Sequence, residues 1–215
     1  FPTSLICFGR SPFDALPQKV RQYIAMGEEQ QLHTRQKCRI RTPWYSVPSV
    51  YRTELGMTKC SHQYPRLIVN SACAYTTTAA YRVAMISREV APVQLAFSFI
   101  NSLTALSCEL EGRAYGGGVL ELVPSEIEEL LVPIGDATLY DLEILNAKIT
   151  NGVSADVLLR EQDEIILKSA GLTGRERAII HEAWDRISTR RHRTDRRNEE
   201  THNTFDWGET LSGTI

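Results

Sequence analysis

Lys37, Arg39 and Arg41 occupy alternate positions in the segment KCRIRTPWYSVPS, and Trp44 and Tyr45 follow directly. Alternate residues of extended backbone share a face, so the spacing predicts a basic row that ends in two aromatic rings. Such a row suits phosphate contact, and the rings suit stacking or wedge insertion between bases. An exposed edge strand, kept from aggregating by its charges and with Trp44 in the core, accounts for the same residues equally well. The other chemistry-bearing residues are dispersed. His33, His62, His181, His192 and His202 have no spacing that suggests a metal site or a general base. No pair of acidic residues with a nearby lysine stands in strand context, which argues against a nuclease. Cys7, Cys38, Cys60, Cys73 and Cys108 are odd in number and include no CxxC pair, so all five are expected as reduced thiols.

The formal net charge of −2 hides two unlike halves. Residues 1–90 hold 12 Lys/Arg against 5 Asp/Glu, a net of +7, whereas residues 91–215 hold 12 against 21, a net of −9. A positive half is what a polyanion-binding face requires, because each phosphate neutralised releases counterions. A negative half suits solvated helices or a basic partner, and it would repel DNA. With 215 residues, 42% hydrophobic and 23% charged, the chain can build a core, which excludes a disordered or fibrous protein. The longest apolar stretch, VQLAFSFI, is far short of the ~20 residues of a membrane span. The opening shows no secretory signal. A cytoplasmic protein is therefore expected, and a start at Phe1 instead of Met reads as a fragment.

These residues must be positioned by elements that the patterning predicts. Residues 1–10 read as a short strand, followed by a helix capped around Ser11–Asp14 and stopped by Gly27. Residues 35–50 read as short strands or edge segments broken by Pro43 and Pro48. RLIVNSACAYTTT and YRVAMIS read as a strand pair. Leu95, Phe99, Leu103, Leu106 and Leu110 form one helical stripe opened by Pro92 and closed by Gly112. Gly116–Gly118 turn into a VLEL strand and a PSE helix. Beyond Pro133 the pattern is helical, with Ser154 and Thr173 as caps, and RRHRTDRRNEETHN (190–203) is too polar to bury anything. The fold class is α+β: a mixed, β-rich domain with one long core helix, then a small all-α extension. The boundaries expected are 1–135, 136–195 and a flexible tail over 196–215.

The segments GEEQQLHTRQKCRIRTPWYSVPSV, HQYPRLIVNSACAYTTTAAYRV and FSFINSLTALSCELEGRAYGGGVLELVPSEIEELLVPI share an order and wording with a known group. The chain resembles the C-terminal target-recognition region of the Eco57I and TaqI type of adenine-N6 DNA methyltransferases, bacterial restriction-modification enzymes. The likeness covers roughly residues 5–135, and the RxPWYxVP, FINS and GRxYGGGxLEL pieces are its most specific parts. It implies a domain that binds double-stranded DNA and reads its sequence. A methyltransferase catalytic domain, in the same polypeptide or a separate subunit, would bind S-adenosylmethionine and act on a flipped adenine. Neither a glycine-rich cofactor loop nor an Asn-Pro-Pro-Tyr-type motif is present. Gly116–Gly118 follow a helix, and Thr42-Pro43-Trp44-Tyr45 has the wrong first residue and lacks the second proline. This chain alone is thus expected to carry no cofactor, no metal and no catalysis.

Within the matching segments, residue type suggests which side chains meet DNA. Arg39 and Arg41 suit phosphate or guanine, and Lys37, Arg52, Arg66 and Arg82 extend the basic face. Asn70 suits adenine, and Thr76, Thr77 and Thr78 suit phosphate or a thymine methyl. Arg113, Tyr115, Gly116 and Gly117 suit a loop that approaches the DNA backbone closely. Each has a plain alternative as a surface or turn residue. Asn101 and Ser102 read as structural polar residues of the core helix. A second reading makes the chain an interaction module whose acidic helices, 136–190, dock a catalytic or nuclease subunit.

Overall fold

A computed structural model describes residues 5–48, 51–76 and 80–203, without the side chains of 194–203. Contacts divide the chain into two units, Phe1–Arg52 and Thr53–Ile215.

In the first unit, residues 5–10 form no strand, and residues 1–4 of the expected strand lie outside the described residues. Two prolines divide the expected helix. A single 3-10 turn, Phe13–Ala15, follows Pro12, and α1 (Gln18–Glu29) begins only after Pro17. Helix α1 runs through Gly27 instead of stopping there. Gly27 is a packing glycine: a Cβ would meet Trp44 Cη2 at 2.8 Å. Over the described residues 35–48 no strand forms, and α2 (Gln36–Arg39) is one helical turn followed by bends; residues 49–50 of the expected strands lie outside the described residues. Pro43 and Pro48 supply no ladder donors, so a strand gains little here.

The second unit holds two antiparallel sheets. Strand β1 (Leu55–Thr58) is the middle of one, flanked by β3 (Leu67–Val69) and β4 (Ala80–Val83). Each of the two segments read as a strand pair contributes one short strand, but each strand pairs with β1 and neither with the other. The second sheet joins β2 (Cys60–Ser61), β6 (Val119–Glu121) and β5 (Arg113–Tyr115) in the order β2-β6-β5. Met57, Phe99, Cys108, Leu120 and Leu122 pack as one cluster with Leu67, Tyr81 and Val83 against it. Burial there pushes the Cys108 thiol up to about 12, and none of the five cysteines is disulfide-bonded.

The stripe from Leu95 to Leu110 is two helices, α3 (Pro92–Ser98) and α4 (Ser102–Glu111), bent by 79°. Asn101 causes the break. Its Oδ1 accepts the Thr104 N–H at 2.9 Å as the cap of α4, and its Nδ2 donates to Ser98 O at 2.7 Å. One side chain therefore satisfies a donor of the new helix and a carbonyl of the old one. Asn101 and Ser102 are fully buried, as their structural reading requires. Among the described residues no single helix is long and apolar enough to cross a membrane; α3 and α4 are apolar because they form the core.

After the short helix α5 (Pro124–Ile127), three longer ones follow: α6 (Leu139–Thr150), α7 (Ala155–Ser169) and α8 (Gly174–Asn203). Thr138, Ser154 and Thr173 each accept a backbone N–H three residues on. Leu145, Leu158, Leu159, Ile166, Leu167 and Trp184 share one core with Tyr64, Phe97, Ile100 and Ala105. Helix α8 continues to Asn203, and within the run read as too polar to bury anything Arg191 is only 6% exposed. Residues 204–215 of the expected tail lie outside the described residues. The α+β class stands, with helices outweighing short strands.

Candidate nucleic-acid interface

The first sheet presents a basic outer face. Ile68 of β3 and Arg82 of β4 both pair with Gly56 of β1, so their side chains leave the sheet on the same side. Arg66, two residues before Ile68, continues that row, and its N–H donates to Thr58 Oγ1 at 2.8 Å. A Cβ on Gly56 would lie 3.9 Å from Thr76 Cγ2, which places Thr76 over the middle strand. Arg66, Ile68 and Arg82 are exposed, while the Thr76 hydroxyl is buried without a hydrogen-bond partner among the described residues. The opposite face, with Leu55 and Met57, is core. Asn70 closes the end of this sheet. Its Nδ2 donates to Thr53 O at 2.9 Å and Ala74 O at 2.8 Å, and its Oδ1 accepts the Ala74 N–H at 2.9 Å. Thr77 and Thr78 lie outside the described residues. Lys59, not singled out in the sequence, is engaged by Glu121 at 3.2 Å.

In the first unit the predicted residues do not form a row. A helical turn sets Lys37 and Arg39 about 200° apart, and both are exposed on α2. Arg41 is half-buried and donates to Ser46 O at 3.2 Å. Trp44 Nε1 donates to Glu28 Oε1 at 2.9 Å, and Tyr45 donates its hydroxyl proton to Ser11 O at 2.7 Å. The rings of Phe8, Tyr45, Trp44 and His33 contact one another in succession. Both aromatics thus hold the unit together. Arg52 is exposed at its end.

The glycine turn links β5 to β6 as a hairpin, with Gly117 at φ +80° and Gly118 at φ +62°. Arg113, Tyr115, Gly116 and Gly117 are exposed, and Arg113 Nε pairs with Glu126 Oε1 at 2.7 Å. Gly118 is the buried end. Arg191 donates to its carbonyl and also to His62 O at 2.9 Å and Gln63 O at 3.2 Å. The same guanidinium meets Glu109 in a two-point contact. His192 covers the glycine, since a Cβ on Gly118 would lie 2.7 Å from its Nδ1. Burial, with Arg191 adjacent, holds His192 below the usual imidazole range.

A family model for the C-terminal domain of the type II methyltransferase M.Eco57I matches residues 2–167. The chain belongs to that family. No curated protein and no solved structure matches it. The M.Eco57I C-terminal family match ends inside α7, so α8 lies outside it while filling its core with Trp184. The turn that resembles a glycine-rich loop joins two antiparallel strands, so it offers no helix N-terminus to a cofactor and does not fit S-adenosylmethionine.

Two features of the second unit were not legible as sites in the sequence. A cavity of about 340 Å³ opens between β3, α3 and α6, lined by Arg66, Ile68, Ile100, Leu142, Glu143 and Ile149 among others. The second is a polar relay around a buried imidazole, with Asp156 at its exposed end. His181 is 1% exposed; its Nδ1 lies 2.8 Å from Ser102 Oγ and its Nε2 lies 2.8 Å from Asp156 Oδ1. Asp163 Oδ1 accepts the Ser102 N–H at 2.8 Å, placing a carboxylate at the N-terminus of α4 where the helix dipole favours it. Ser102 lies 61 positions from Asp163 and 79 from His181, so no local spacing could have signalled the group. Ser102 is fully buried and does not line the cavity; the relay braces α4 against α7 and α8.

Proposed function

We propose that this chain supplies sequence-specific binding of duplex DNA, as the target-recognition part of a site-specific adenine-N6 DNA methyltransferase in a restriction-modification system. In this reading S-adenosylmethionine and methyl transfer belong to a catalytic domain in the same polypeptide or a partner subunit. The observation that carries the reading is the outer face of the first sheet, where Ile68 and Arg82 flank Gly56 with Arg66 and Thr76 beside them. Cations beside an apolar group suit a phosphate-lined groove with base methyls at its floor. Membership of a methyltransferase C-terminal family and the basic excess of residues 1–90 support the same reading. The glycine hairpin, with the exposed residues Arg113 to Gly116 before Gly117, suits close approach to the DNA backbone. An adenine N6 group lies inside the base stack, so a recognition part that grips the duplex assists flipping. The test is an anisotropy titration of labelled duplexes against the 215-residue chain over a salt series. Steeply salt-dependent binding is expected; no binding even at low salt would sink the proposal.

A second reading, docking of a catalytic or nuclease subunit, draws on α6. Tyr140 and Ile144 are one turn apart on this helix and are 69% and 41% exposed. Tyr140→Ser with Ile144→Ser should then abolish co-purification with the partner and leave DNA affinity unchanged. Retained co-purification would dismiss it.

A further inference from the structure

Helix α8 carries arginine on both of its faces. The inner face, His181, Trp184, Ser188 and Arg191, is buried. At 3.6 residues per turn, Arg186, Arg190, Arg193 and position 197, again arginine, fall within an arc of roughly 60° on the opposite side. Arg186, Arg190 and Arg193 are exposed, and among the described residues neither Arg186 nor Arg193 is ion-paired. The acidic residue within this stretch, Asp195, falls on the other side of the helix, and Glu182 precedes the row by one turn. Like charges one turn apart destabilise a helix in isolation, and a polyanion laid along the row would offset that repulsion. The last turn of α8 does not contain the row, so the helix dipole does not account for it.

The row also continues from the hairpin. Arg190 and Arg193 bracket Arg191 and His192, the two residues that hold Gly118. We infer that the outer face of α8 is a phosphate clamp that grips the duplex backbone beside the glycine hairpin, without reading sequence. This inference rests on the DNA-binding reading above and extends it to a helix outside the family match. From Arg186 to position 197 the helix rises about 17 Å, a length over which a duplex carries about ten phosphate charges.

The experiment compares the 215-residue chain with R186Q/R190Q/R193Q and R186K/R190K/R193K, using a labelled duplex of arbitrary sequence in an anisotropy salt series. Circular dichroism checks that each variant keeps its helical signal. The glutamine variant should lower the slope of log affinity against log salt by about three, and the lysine variant should keep it, because a phosphate needs only the charge. An unchanged slope in the glutamine variant, with the parent chain binding normally, would overturn the clamp and leave the DNA-binding reading standing. A lysine variant as weak as the glutamine one would also overturn it. Failure of the parent chain to bind any duplex would overturn both.

Discussion

Arg191 and Glu109 meet side-on, with Nε 3.1 Å from Oε2 and Nη2 2.8 Å from Oε1, and their side chains are 3% and 2% exposed. This fork joins α8 to α4, and the remaining donors fasten the backbone of His62, Gln63 and Gly118. Removing one member of a buried pair leaves an uncompensated charge, which costs about 3–5 kcal/mol. Arg191→Met should therefore lower the unfolding free energy by that amount, read as a lower urea midpoint at constant m-value. Arg191→Met with Glu109→Leu should recover part of the loss, since no buried charge remains. A midpoint shift in the single variant no larger than that of a surface substitution would refute this.

Two glycines of the hairpin, Gly116 and Gly118, should respond differently to alanine. Gly118 sits at φ +62° with His192 in the way of a Cβ, whereas nothing lies within 4 Å of a Cβ on Gly116. Gly118→Ala should lose about 1–2 kcal/mol from the left-handed backbone alone. Gly116→Ala should stay within about 0.5 kcal/mol. Thermal melts of the two variants decide the matter. In the proposed function Gly116→Ala also weakens duplex binding, because the added methyl holds the DNA backbone off.

Asp156 and Asp163 flank the same imidazole and respond to pH with opposite sign. The hydrogen bond to His181 holds the Asp156 carboxyl below the usual range, while burial, opposed by the Ser102 hydrogen bonds, pushes Asp163 up. The contribution of Asp156 is present above the unfolded carboxylate value of about 3.9 and is lost as pH falls through its folded value. That of Asp163 is present below about 3.9 and fades as pH rises through its raised value. Asp163→Asn should flatten the decline of melting temperature on the neutral side of about pH 4, and Asp156→Asn the decline on the acid side. Parallel profiles for both variants would contradict the assignment.

Arg66→Gln with Arg82→Gln should reduce the salt slope of duplex binding by about two while the fold, read by circular dichroism, is unchanged. Both side chains are exposed on the sheet's outer face, so a loss of stability is not expected. An unaltered slope would remove this face from the DNA contact.

The parts of the fold that local chemistry decides were readable from the sequence. Pro92, Ser154 and Thr173 each mark a helix start, because capping and proline act on their own neighbours. Strand β1 was not readable: Leu-Gly-Met-Thr has a weak β preference, and only pairing on both edges makes it a strand. Missing it turned β3 and β4 into a false pair. The helix break at Asn101 hid within a continuous apolar stripe, because a side chain that caps one helix looks in sequence like an interruption of another. At the candidate interface, Arg66 and Arg82 kept the exposed setting their type suggested. Lys37, Arg39 and Arg41 lost their common face once residues 36–39 became helical. Arg191 was indistinguishable from its arginine neighbours, since only its register on α8 turns it inward.

The core position of Trp184 reaches beyond this chain. Anyone exchanging this domain between members of the family would cut where the family match ends, inside α7. In this protein such a graft would leave behind the helix that fills the module's interior and pins its glycine hairpin. A working chimaera must carry α8 with it.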